Sequence, residues 1–180
     1  MKKILALAGS NSKNSINKKL LHYVIGRIEN HEVKFLELTD YDFPMFGIDH
    51  EKERGFPADV QVVKVLIKEA DALVIAVNEH NGGPSTYFKN LTDWLSRMEL
   101  KFLEGKKVLL MSTSPGARGG ASALAYYKDV LPRFGAEVVE SFSLPSFNEN
   151  FDTENNKITD EILLLGLNDV LSNFEQELQE

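Results

Sequence analysis

The chain has 180 residues, 43% of them hydrophobic and 26% charged, which is apolar material enough for one compact domain over residues 1–180. It holds no cysteine, so disulfides, thiolate metal sites, iron–sulfur clusters and thiol nucleophiles are excluded. A formal charge of −7 opposes binding to nucleic acid or an anionic membrane, no apolar run reaches membrane-span length, and the apolar start is too short for a signal peptide; we expect a cytoplasmic protein.

Ile4 to Ala8 is an apolar run of strand length. After Gly9-Ser10-Asn11-Ser12-Lys13-Asn14-Ser15, apolar residues recur at helical spacing at Ile16, Leu20, Leu21, Val24 and Ile28. Asn14 or Ser15 can cap that helix. Val33 to Leu38 alternates and reads as a second, less buried strand. A loop with Pro44, Gly47 and Pro57 follows, in which the mixed-sign cluster Glu51-Lys52-Glu53-Arg54 reads as solvated, and Val60 to Ala70 reads as a helix.

Ala72 to Val77 is wholly apolar, as expected of a parallel strand covered on both faces. The loop Asn78-Glu79-His80-Asn81-Gly82-Gly83 leads into a helix with Phe88, Leu91, Trp94, Leu95 and Met98 on one side. Val108 to Met111 is a fourth strand, Ser112 to Gly120 a loop rich in Gly and Ser, Ala121 to Phe134 a helix, and Ala136 to Phe142 a fifth strand. Pro145 to Lys157 is polar and aperiodic. A last amphipathic helix carries Leu163, Leu167, Val170, Leu171, Phe174 and Leu178.

This alternation predicts an α/β domain with a doubly wound, five-stranded parallel sheet and helices on both faces. Right-handed crossovers leave few strand orders, of which 2-1-3-4-5 is common. Strands 1 and 3 then flank the switch point, and the loops leaving strands 1, 3 and 4 share the carboxyl edge where such sheets bind ligands.

The first loop offers hydroxyls at Ser10, Ser12 and Ser15, amides at Asn11, Asn14 and Asn17, and a cation at Lys13. At a helix amino end these suit a phosphate, although a plain capped turn uses the same residues. The loop is neither a Walker A sequence nor a G-x-G-x-x-G fingerprint. Glycines in the second loop let the backbone approach a flat ligand. The third loop either lines the far side of the same crevice or is a flexible turn. Lys89 and Asp93 have the spacing of an ordinary ion pair, and Trp94 lies on the apolar stripe, so packing is the expected role. His22, His31 and His50 are scattered, with no metal site expected and no nucleophile–base pair arguable from spacing.

The chain resembles the NAD(P)H-dependent FMN reductase family of flavodoxin-like proteins, which includes related quinone, azo-dye and chromate reductases. The family's phosphate loop has the form G-S-x-R-x-x-S-x-N; Gly9, Ser10, Ser15 and Asn17 match it, and Ser12 stands where arginine is usual. The second signature resembles P-E-Y-N-G-S-x-P-G-x-L-K-N-x-x-D-W. Glu79, Asn81, Gly82, Lys89, Asn90, Asp93 and Trp94 match it in register, whereas Asn78, His80, Gly83, Ser85 and Thr86 depart from it. Ser114, Gly116, Gly119 and Gly120 match an S-x-G-x-x-G-G type of loop.

The resemblance implies a flavodoxin-like fold and a reductase that takes two electrons from NAD(P)H through FMN to a small acceptor: free flavin, quinone, azo compound or metal oxyanion. It implies that Ser10, Ser15 and Asn17 hold the phosphate, with Ser12 and Lys13 in place of the missing arginine. The stretch Asn78, Glu79, His80, Asn81 and Gly82 would lie along the isoalloxazine, and Ser114, Gly116, Gly119 and Gly120 would reach its pyrimidine side or ribityl chain. His80, in place of tyrosine, either hydrogen-bonds a substrate or has no such role. Arg97 or Arg118 is the nominee for a nucleotide 2′-phosphate. The resemblance further implies a homodimer or homotetramer, with Phe43 to Phe56 and Pro145 to Lys157 as candidate covers for a neighbour's flavin or else as solvated connections. An FMN electron carrier and a module that has lost its flavin remain as other readings.

Overall fold

The computed structural model describes residues 1–179. Its main sheet comprises β1 (Lys3–Ala8), β2 (Glu32–Leu36), β3 (Ala72–Val77), β4 (Lys107–Thr113) and β5 (Glu137–Leu144), all parallel, in the spatial order β2-β1-β3-β4-β5. This is the expected flavodoxin-like order. The helices are α1 (Ile16–Ile25), α2 (Ile48–Arg54), α3 (Ala58–Glu69), α4 (Thr86–Met98), α5 (Ala121–Val130) and α6 (Glu161–Glu177).

Strand alternation sends successive side chains to opposite faces, and the core divides accordingly. Leu5, Leu7, Leu73, Ile75, Leu110 and their neighbours pack against α3, α4 and α5. Ile4, Ala6, Val74, Ala76, Leu109 and Met111 pack against α1 and α6. Every residue of β3 is buried, which explains its unbroken apolar run.

Several boundaries shift for local reasons. The first helix stops at Ile25, where the Gly26 N–H bonds the His22 carbonyl and the Arg27 N–H tightens the last turn onto the Val24 carbonyl. The second strand ends at Leu36, and Glu37 then turns the chain by accepting from the Thr39 N–H. Pro132 lacks a donor, so α5 ends at Val130 and a 3₁₀ turn, Leu131–Phe134, follows. The cluster Glu51 to Arg54 is helical rather than a solvated loop. Asp49 and Glu51 lie in the first turn of α2 with Lys52 and Arg54 in its last, which suits the helix dipole, and Glu51 accepts a fork of two 2.9 Å hydrogen bonds from Arg97 on α4.

Both candidate cover segments are tied down by their own chain. Asn90 on α4 donates to the Phe43 and Pro44 carbonyls and accepts from the Phe46 N–H, while the Trp94 indole donates to Pro44 O at 2.7 Å. Lys89 pairs with Asp93 at 2.6 Å, so this stretch of the signature anchors and packs, as expected. In the polar segment after β5, Phe147 and Phe151 stack at 4.8 Å and are buried in the core beneath α1 and α6. A short hairpin, Phe151–Asp152 with Lys157–Ile158, completes that segment.

Gly9 continues the β1–β3 ladder by donating to Ala76 O at 2.8 Å, and a Cβ there would lie 2.6 Å from Cγ of the buried Phe88 ring. Gly9→Ala therefore overpacks the joint between β1 and α4, and we expect a loss of about 1–3 kcal/mol in urea unfolding. Unchanged stability would mean that α4 can retreat.

Beside α1, Lys18 and Glu37 meet at 2.5 Å. Burial alone would raise the Glu37 carboxyl, but hydrogen bonds from Lys18 and Thr39 outweigh it and hold it below its ordinary 4.5. A carboxyl lowered in the fold contributes stability above pH 4.5, and loses it as pH falls through the folded value. Glu37→Gln should thus cost about 0.5–1 kcal/mol at neutral pH and little near pH 3 in pH-dependent urea unfolding. An equal loss at both pH values would contradict this pairing.

Candidate functional site

The loops leaving β1, β3 and β4 meet at the carboxyl edge around an open crevice of about 310 Å³. That lies at the lower end of the range for small-molecule sites. The crevice is lined by Ser10, Ser12, Asn14, Ser15, Ile16 and Asn17 from the first loop, Asn78, Glu79 and His80 from the second, and Thr113, Ser114 and Pro115 from the third.

The first wall is folded by its own serines. Ser10 Oγ accepts from the Ser12 N–H at 3.2 Å, Ser12 Oγ from the Asn14 N–H at 3.3 Å, and Ser15 Oγ caps α1 through the Lys18 N–H at 3.3 Å. The Ile16 and Asn17 N–H groups open the helix, where no intrahelical acceptor exists. Lys13 is exposed and lies outside the lining.

Asn17 is spent differently from the expected phosphate contact. Its Oδ1 accepts from the Thr113 N–H at 2.9 Å and its Nδ2 donates to the Thr113 carbonyl at 3.0 Å, with the whole residue buried. One carboxamide thus bridges the first and third walls.

The second wall is a hairpin, Glu79–His80 paired with Gly83–Pro84. At its turn Asn81 has φ 52° and Gly82 φ 76°. Two successive left-handed residues belong to the tight turns that match strand twist, for which Asn-Gly is the strongest short signal. Asn81-Gly82 is that signal, and the stretch expected as a loop is a hairpin. Asn81 and Gly82 are exposed at the turn, outside the lining. Glu79 turns its carboxylate to α5, accepting from the Ser122 N–H at 2.7 Å and the Ala123 N–H at 3.2 Å. The residue capping that helix, Gly120, has no side chain to do so. Asn78 is buried, donates from Nδ2 to His80 Nε2 at 3.0 Å, and leaves Oδ1 buried without a partner.

In the third loop Gly119 and Gly120 pack inward, while Gly116 is exposed. At Gly119 (φ +57°) a Cβ would overlap Ser143 Oγ and come within 2.9 Å of Leu144 O, and at Gly120 (φ +77°) it would lie 3.2 Å from Ser112 Cβ. The Gly119 carbonyl accepts from both Ser112 and Ser143 hydroxyls. Gly116 accepts from the Gly119 and Ser146 N–H groups, which closes the loop on itself. Ser114 and Pro115 are left to face the crevice.

Eight of the sequence-selected residues therefore line the crevice (Ser10, Ser12, Ser15, Asn17, Asn78, Glu79, His80 and Ser114), and Lys13, Asn81, Gly82, Gly116, Gly119 and Gly120 do not. The lining adds Asn14, Ile16, Thr113 and Pro115. Neither arginine lines it: Arg97 is held by Glu51, and Arg118 donates to Ser122 Oγ. Among the described residues no helix is long and apolar enough to cross a membrane.

The family described as NADPH-dependent FMN reductase matches residues 2–149. A quinone reductase of Escherichia coli K12 is 31% identical over 140 residues, covering 77% of this chain and 74% of its own. An NAD(P)H-dependent FMN reductase of Pseudomonas aeruginosa is 31% identical over 130 residues, covering 72% and 69%. Among solved structures, a flavoenzyme NAD(P)H:(acceptor) oxidoreductase from Paracoccus denitrificans superposes with a TM-score of 0.75 at 26% identity, covering 98% of each chain.

Asn17→Ala removes the bridge and leaves the buried Thr113 N–H and carbonyl without partners. We expect a loss of about 2–4 kcal/mol in urea unfolding, one desolvation penalty for each stranded group. A loss below about 1 kcal/mol would show that water replaces the carboxamide and that the bridge does not hold the walls together.

Proposed function

Because the chain belongs to the NADPH-dependent FMN reductase family, we propose that its crevice holds FMN and that it reduces a small acceptor at the expense of NAD(P)H. The observation that carries this reading is the convergence of a serine-lined helix amino end, a hairpin and the Ser114–Pro115 loop on one crevice at the switch point of the sheet.

The donors present suit the group. The Ser10, Ser12 and Ser15 hydroxyls and the first-turn N–H groups of Ile16 and Asn17 provide uncharged donors and a positive helix end for the phosphate. The one carboxylate in the lining, Glu79, is directed onto α5 and so spares the phosphate an unpaired negative neighbour. Ser12 cannot give the fixed double donation of an arginine, and Lys13 follows it in the chain as an exposed cation. Asn78 to His80 and Ser114–Pro115 provide the two flanks for the ring.

The chemistry that FMN supplies when bound is uptake of two electrons as hydride from NAD(P)H and their release, in a ping-pong cycle, to an acceptor that enters after the nucleotide leaves. The protein's own part is to position and to exclude. The buried ends of β3 and β4 fix the floor of the crevice, and the Asn17 and Glu79 braces hold its walls apart at constant spacing. Among the lining residues only Glu79 and His80 are ordinarily ionisable, in keeping with a reaction that needs orientation more than an acid–base residue. The quinone reductase relative supports a quinone-like acceptor within the wider class of flavins, azo compounds and metal oxyanions.

We read residues 1–180 as one domain acting in the cytoplasm as a homodimer or homotetramer. The exposed Met45, Ile48, Phe56, Val62 and Val65 support self-association through α2, α3 and the segment before them.

The test is the absorbance spectrum of the purified protein with FMN, followed anaerobically on adding NADPH or NADH. Bound flavin that bleaches promptly, and recovers when a quinone is added, is the expected result. Bound flavin that stays oxidised would make the protein an electron carrier, and no bound flavin would remove the reductase reading.

A further inference from the structure

The crevice holds one polar atom that the chain leaves unserved. Asn78 is 8% exposed, and its Oδ1 is buried with no partner. Among the described residues the one other such atom is the Tyr127 hydroxyl, enclosed in the core beneath α4 and α5. Buried carbonyl oxygens are almost always bonded, so an unpaired one in a side chain that lines a crevice calls for a donor that the chain does not supply.

The contact with His80 orients this amide. Asn78 Nδ2 lies 3.0 Å from His80 Nε2. An amide nitrogen only donates, so in this pair Nε2 accepts, which takes the tautomer with its proton on Nδ1. With Nδ2 committed to His80, Oδ1 is the pole left over. The hairpin that carries His80 is itself fixed by the Asn81-Gly82 turn and by the bonds from Glu79 to α5. Proline and tyrosine hold these two positions in the signature that the chain resembles, and neither can form this pair.

We propose that Asn78 Oδ1 accepts a hydrogen bond from an N–H or O–H group of the bound flavin, with His80 as the positioning residue that turns the amide to face it. The inference rests on the reading of the crevice as an FMN site. Oxidised FMN has such donors in two places, the ring N3–H and the ribityl hydroxyls. Its ring carbonyls only accept, and its phosphate oxygens at neutral pH chiefly accept. The pair thus recognises the flavin body, apart from the phosphate loop, and offsets part of what Ser12 forgoes in place of an arginine.

FMN affinity, measured by quenching of flavin fluorescence, tests this in the wild-type chain and in Asn78→Ala, His80→Phe, His80→Gln and the Asn78→Ala/His80→Phe double variant. Asn78→Ala should bind about tenfold more weakly, the loss of one hydrogen bond from a buried site. His80→Phe frees the amide to rotate and should weaken binding severalfold. His80→Gln, whose Oε1 can accept from Nδ2, should restore most of it. The double variant should bind no more weakly than Asn78→Ala alone, since His80 acts only through Asn78. Nitrogen-15 NMR of the imidazole should show an unprotonated Nε2, and a protonated Nε2 at neutral pH would overturn the orientation.

Lumiflavin, which keeps N3–H but lacks the ribityl chain and phosphate, separates the two donors. A parallel loss of lumiflavin binding in Asn78→Ala assigns the bond to the ring, and a loss confined to FMN assigns it to a ribityl hydroxyl. Wild-type FMN affinity in Asn78→Ala would overturn this inference and leave the FMN site standing. A wild-type chain that binds no FMN would overturn both.

Discussion

A single buried carboxamide sets the geometry on which the rest of the crevice depends. Asn17 sits in the first turn of α1, yet both its polar atoms are bonded to the backbone of Thr113 at the end of β4. Between those two points lies the end of β3, so the bond spans the full width of the switch point. On the other flank, Glu79 binds the start of α5 with its carboxylate and fixes the hairpin against the third loop. These two braces, made by side chains that cross from one loop to another, turn three loops into one rigid-walled cleft. Loops of this kind otherwise fluctuate independently, because little apolar surface holds them.

The braces also explain how the polar residues divide their labour. Ser10, Ser12 and Ser15 fold the first loop through its own N–H groups, and their oxygens keep lone pairs, and hydroxyl protons, for a ligand. The inward-facing Gly119 and Gly120 allow the third loop to pack on the ends of β4 and β5, where side chains would collide. What remains for the ligand is a mostly neutral cleft with a helix amino end at one side and the buried Asn78 amide in its wall. A cleft of that kind is suited to an anionic, planar cofactor that brings its own reactivity.

The sheet was legible in the sequence because burial on both faces leaves uninterrupted apolar runs, and Ala72–Val77 was matched to the residue. Crossover handedness leaves few strand orders, and the common one among them is the order found. Less visible were the short elements. The helix Ile48–Arg54 has no buried residue and therefore no apolar periodicity, and Phe147 and Phe151 are too few to mark a polar segment as core. At the site, residue type located the crevice but not each residue's task. Asn17, Glu79, Gly119 and Gly120 look like ligand contacts in the one-dimensional chain, and only the three-dimensional partners Thr113, Ser122 and Ser143 reveal them as braces and packing positions. The pairing of Asn78 with His80 was likewise hidden, since neighbours two apart in a strand show no partnership until a hairpin fixes their side chains.

The most direct measurement is a map of backbone amide chemical shifts as FMN is added to the isotope-labelled chain. The largest changes should fall on Ser10, Ser12, Ile16 and Asn17, on Asn78 to His80, and on Ser114, with the opposite end of the sheet unaffected. Changes concentrated instead in the cleft between Asp42 and Asp59, with the carboxyl edge of the sheet silent, would contradict the reading of the crevice as an FMN site.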